Sequence, residues 1–188
     1  MCIRDRGTVL NPGDVVISQI QTDFPDDFRM IPLVDLAAGT TIFVTDAGTY
    51  NNGSFADPSP EAMVKYVAPS LIPAGEVIQY DAQFTHVTDA CNMNPSSEFS
   101  LHTAGDQLLV FQDADGDGVD AFCNPSFIFA INAASTTWNG DPTDHNQTSL
   151  PAGLTDGVNA IAVGAGTCLL YTSPSPRDAT LSRMPSSA

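Results

Sequence analysis

No stretch of this chain keeps a 3.6-residue apolar period for a dozen residues, and that constrains its fold most. What recurs instead is short apolar runs rich in Val, Ile, Phe and Tyr, punctuated by Gly, Pro, Asn and Asp. Branched and aromatic side chains suit a pleated, half-buried surface, and the punctuating residues suit tight reversals. Strands are expected near 14–20, 28–34, 41–45, 63–67, 77–80, 98–101, 107–112, 126–131 and 158–163. Within 41–45, Ile42 and Val44 should face one way and Thr41, Phe43 and Thr45 the other. Phe127, Phe129 and Ile131 should share a face. Ala38-Gly39, Ala74-Gly75 and Ala152-Gly153 each precede an apolar run and are expected to reverse the chain. Pro32 inside a run points to a sheet edge or bulge. One short helix could start at Ser59-Pro60-Glu61-Ala62. Nine short strands around one core predict an all-β fold, an antiparallel β-sandwich.

The two ends read differently. Residues 1–6 and 168–188 resemble translated sequencing adaptor, including Cys168-Leu169-Leu170-Tyr171-Thr172-Ser173-Pro174. They are set aside from fold reasoning, and the module is taken as 7–167 of a longer protein. The terminal strings are expected to pack poorly. The full chain of 188 residues has 22 acids, 6 bases and a net charge of −16. Residues 7–167 keep 20 of those acids and only Arg29 and Lys65, a net charge near −18. Such a balance argues against binding nucleic acid through its phosphates. No apolar run reaches the 18 residues of a membrane helix. The charge suits a solvated surface in saline surroundings, or an acidic face that recruits divalent cations or a basic partner.

Gly13-Asp14-Val15-Val16-Ile17, Asp26-Asp27-Phe28 and the segment from Leu33 to Asp46 together resemble the opening of a secreted module. Phe99-Ser100-Leu101, Gly105-Asp106-Gln107-Leu108, Phe127 to Asn132 and Leu150 to Val158 continue the likeness. The module occurs in large extracellular proteins of bacteria and some algae. Its neighbours there include nuclease or phosphatase domains, calcium-binding repeats and sorting signals. It is distantly similar to lamin-tail-like domains, which are immunoglobulin-like sandwiches. The resemblance implies a secreted location and partners among neighbouring domains of the same chain. It carries over no catalytic residue. This chain departs from the pattern by an acidic insertion after Gln112 and by its cysteines.

That insertion, Asp113-Ala114-Asp115-Gly116-Asp117-Gly118-Val119-Asp120, is the sharpest motif. Carboxylates at alternate positions can converge on one hard cation, with Gly118 allowing the turn. The spacing resembles thrombospondin type 3 calcium loops and the first half of an EF-hand. It lacks the closing bidentate Glu, since Asn124 stands at the twelfth position. Asp113, Asp115, Asp117 and Asp120 are the expected calcium ligands, with weak affinity, roughly 10⁻⁴–10⁻³ M. The same residues also suit a solvated hairpin tip. Cys91 and Cys123, both in polar loops, are expected to form a disulfide that anchors this loop. Closing about 32 residues would contribute roughly 3–4 kcal/mol. Neither has a second cysteine at zinc-ligand spacing.

His86, His102 and His145 stand at no metal or triad spacing, although Asp141 and Asp144 precede His145. Trp138, Tyr50 and Tyr66 could stack a glycan or simply anchor core and loops. Asn52-Gly53-Ser54 and Asn146-Gln147-Thr148 are glycosylation sequons. The sequence therefore predicts a non-catalytic extracellular structural or adhesive module. The alternative is an accessory domain that positions substrate for a secreted nuclease, phosphatase or glycan-active hydrolase.

Overall fold

The structure is a computed structural model that describes residues 7–56, 61–87, 99–114 and 123–164. The described residues contain no helix and nine strands: β1 (Val15–Gln21), β2 (Asp27–Pro32), β3 (Thr41–Thr45), β4 (Met63–Val67), β5 (Ile78–Gln79), β6 (Thr85–His86), β7 (Gln107–Asp113), β8 (Pro125–Asn132) and β9 (Ala160–Ala162). They form a three-stranded sheet, β1-β2-β5, and a six-stranded sheet, β6-β4-β3-β7-β8-β9. All pairs are antiparallel except β8 with β9, which run parallel. The expected all-β class holds, and the sheet is mixed at one edge.

The two sheets share a core. Val15, Ile17, Ile20, Phe28 and Met30 from the small sheet meet Ile42, Val44, Val64, Tyr66, Leu108 and Val110 from the large one. The opposite face of the large sheet is also buried. There Phe43, Met63, Leu109, Phe111 and Phe127 pack under Ala47, Phe55 and Leu154, with Trp138 and Leu150 alongside. The alternation expected in β3 holds, but both of its faces are interior. Loops supply the third layer that a second sheet would otherwise provide.

Phe127 and Phe129 do not share a face. Val110 pairs with Phe129 and Phe111 with Phe127, so Ile128 is an extra residue in β8. A bulge of this kind places two successive side chains on one side and reverses the alternation. Ile128 and Phe129 therefore enter the inter-sheet core, while Phe127 joins Phe111 and Phe55 on the other face. The Ile128 carbonyl accepts the Gly13 N–H at 2.8 Å, tying the N-terminal segment to the bulge.

Other expectations are corrected. Phe99, Ser100 and Leu101 belong to no strand; Leu101 is buried, but its N–H donates to the Asp26 carboxylate at 3.0 Å. β6 takes the place in the count that 98–101 was expected to fill. Glu61 and Ala62 are not helical, and Ser59 and Pro60 lie outside the described residues. Pro32 ends β2, the central strand of its sheet, not an edge. The two-residue β5 stops at Ile78, opposite Met30, so the ladder asks for no N–H at Pro32. The three Ala-Gly turns all have glycine at positive φ, between 82° and 89°. The expectation of poorly packed terminal strings, 1–6 and 168–188, falls outside the described residues.

Candidate functional site

The β7–β8 hairpin carries the acidic insertion. Its register runs from Gln107↔Asn132 to Asp113↔Pro125, and the Ala114 N–H then donates to the Asn124 carbonyl at 2.9 Å. The two stems are thus paired up to the base of the loop. Asp113 is buried at the end of β7. Asp115, Asp117, Asp120 and Cys91 lie outside the described residues, and Cys123 sits where the chain re-enters β8. Among the described residues, no group of three His, Cys, Asp or Glu side chains could hold a metal.

A second acidic grouping was not foreseen. Asp46 follows β3, Glu61 precedes β4 and Asp106 precedes β7, so the antiparallel register brings all three to one end of the large sheet. Each is buried, with 1%, 5% and 1% exposure. The Asp46 Oδ1 accepts the Ala62 N–H at 2.6 Å, and the Asp46 and Glu61 carboxyls hydrogen-bond to each other. Asp106 accepts two backbone N–H groups, from Gln107 at 2.9 Å and His102 at 2.8 Å. Gln107 is fully buried beside them; its amide Nε2 donates to the carbonyls of Asp46 and His145. Its Oε1 is buried without a partner.

Burial sets the electrostatics here. Removal from water penalises the charged form and lifts all three carboxyls above the ordinary carboxylate range. Glu61 rises furthest, because Asp46 and Asp106 add like charge to the cost of burial. Asp106 is pushed up to about 8, chiefly by burial, with its two backbone donors opposing. Asp26 is raised by burial as well. Among the described residues, neither Arg29 nor Lys65 makes a salt bridge with these acids.

Two glycines let the surrounding chain close in. A Cβ on Gly105 would overlap the Ala133 carbonyl oxygen, and one on Gly48 would overlap that of Gln147. Asp106 and Asp46 are thereby pressed against the polar segment 133–149.

The remaining sequence candidates are dispersed. His86 is exposed on β6. The His102 and His145 rings lie 6.0 Å apart, and His145 Nδ1 is 2.8 Å from the Asp144 carboxylate. Asp141 accepts the Asn51 N–H at 2.8 Å. Tyr66 is buried in the inter-sheet core, whereas Trp138 packs on the opposite face and donates its indole N–H to Asp156 at 2.8 Å. Trp138, Tyr50 and Tyr66 therefore make no common stacking platform. In the sequons, Asn52 is exposed and its Oδ1 accepts the Ser54 hydroxyl at 2.7 Å, while Thr148 is buried.

No family model, curated protein or solved structure matches the chain.

Proposed function

We propose that this chain is a non-catalytic extracellular module, structural or adhesive in role, whose acidic hairpin loop is stiffened by calcium and tethered by a Cys91–Cys123 disulfide. The observation that supports it most is the stem of the loop. β7 and β8 are the two longest internal strands of the large sheet, buried along most of their length and paired to the loop's base. A paired stem fixes both ends of the loop, which lowers the entropy cost of ordering it around a cation and favours even a weak site. Asp113 starts the carboxylate series at the stem's last pair. Cys123 is disulfide-bonded, with its partner outside the described residues. The hydrolase-accessory alternative gains no comparable support, since its aromatic platform is split between the two faces of the sheet.

Thermal melting tests this reading. Millimolar calcium should raise the melting temperature by a few °C, about what ligand at several times its Kd gives. The rise should vanish in Asp115→Ala/Asp117→Ala. An intact chain whose melting ignores calcium would contradict the ion site.

A further inference from the structure

We propose that Asp46 and Glu61 share one buried proton that acts as a latch, closing the two ends of the segment between β3 and β4 on each other beside the start of β7, and that loss of this proton loosens that corner of the fold. Hydrogen-bond chemistry is the first ground. An ionised carboxylate is an acceptor only, so two carboxyls bonded to each other need a proton between them. Asp46 and Glu61 are so bonded, and both are buried.

Among the described residues, none places a cation against the pair in the proton's place. The groups facing the pair are Asp106 from the start of β7, Asp144 from the polar segment, and Tyr80 after β5. Asp26, ahead of β2, acts on Asp106. Of the imidazoles nearby, His102 accepts the Ala104 N–H at its Nδ1 and His145 pairs with Asp144 through its own Nδ1. Arg29 and Lys65 make no ion pair among the described residues.

The pair also sits where several segments are fastened together. Asp46 holds Ala62 through its side chain and Gln107 through its carbonyl. Gln107 holds the His145 carbonyl at 2.7 Å, and the Asp106 carbonyl accepts the Ala133 N–H at 2.7 Å. Two carboxylates left without the proton would repel each other in a site that excludes water. The unpartnered Gln107 Oε1 offers them no relief, being an acceptor too. The crossing between β3 and β4 would separate first, taking its contacts with 139–149 along.

The sign of the pH effect follows from burial. In the unfolded chain these acids ionise in the ordinary carboxylate range; in the folded chain they hold protons to higher pH. Their contribution is complete below the unfolded range and is lost as pH rises through the folded values.

The test is melting of the intact chain in EDTA, which removes calcium from the hairpin loop. Between pH 5 and pH 9 the melting temperature should fall by at least about 5 °C. Glu61→Gln retains a hydrogen-bond donor that does not titrate, and it should remove at least half of that fall. A melting temperature that stays level or rises with pH would overturn the latch, as would an equal fall in Glu61→Gln. If that variant does not fold, carboxyl carbon NMR of the unaltered chain decides. Asp46 or Glu61 holding a proton above pH 6 supports the latch, and ordinary titration of both overturns it.

Discussion

Gly105 shows how single residues set this fold. Its φ is +105°, and a Cβ there would run into the backbone of Ala133, which cannot swing aside as a side chain can. Gly39 also has positive φ, 82°, but open space around it. Gly105→Ala should therefore cost at least about 3 kcal/mol in urea denaturation, against about 1 kcal/mol for Gly39→Ala. Equal costs would show that the approach of Ala133 is not a constraint. At this scale much was hidden in the sequence. Asp46, Glu61 and Asp106 each border a strand, where Asp and Glu read as turn or surface residues. Only the sheet register, which no local pattern specifies, gathers them. The one legible hint was polar residues abutting apolar runs without an intervening turn, as in Val44-Thr45-Asp46 and Asp106-Gln107-Leu108.

Among the elements, strands marked by apolar side chains were legible, the short β5 and β9 included, and β6 was not. β1, β3, β4, β7 and β8 fall within a residue or two of expectation, because alternating branched and aromatic side chains mark them. β6, Thr85–His86, has two exposed residues and no apolar signal. The 98–101 expectation failed for the converse reason. Phe99 and Leu101 alternate like a strand and pack in the core, but a carboxylate takes the Leu101 N–H in place of a neighbouring strand. The bulge in β8 was invisible, and it decides which face Phe127 occupies. It also yields a contrast. Deleting Ile128 leaves Phe127 and Phe129 on their present faces and restores a regular ladder. It removes one buried side chain and the Gly13 bond. Deleting Ala130 instead makes Phe129 and Ile131 neighbours, so one of two side chains that face the same core must turn to the other face. Circular dichroism melting should find the Ile128 deletion folded but weaker by about 3–5 kcal/mol, and the Ala130 deletion without a cooperative transition. The reverse order would refute the register.

At the scale of the whole molecule, the described residues combine extensive apolar packing with four buried acidic side chains, Asp46, Glu61, Asp106 and Asp113. Two cores occupy both faces of the six-stranded sheet, one closed by the small sheet and one by loops. Acidic residues dominate elsewhere, with 22 against 6 bases in the full chain. The fold class was legible because its signal repeats in every strand but β6; the loop layer was not, because its anchors, Ala47, Phe55, Trp138, Leu150 and Leu154, are scattered through polar sequence. On a scaffold so packed, calcium should act only where the carboxylates of the insertion lie. The direct measurement is amide hydrogen exchange of the intact chain, at fixed pH, with calcium and with EDTA. The account predicts that calcium increases protection in residues 113–124 and leaves β1 to β4 and the Asp46–Asp106 corner unchanged. Equal exchange across 113–124 in both conditions, or protection arising at that corner instead, would contradict it.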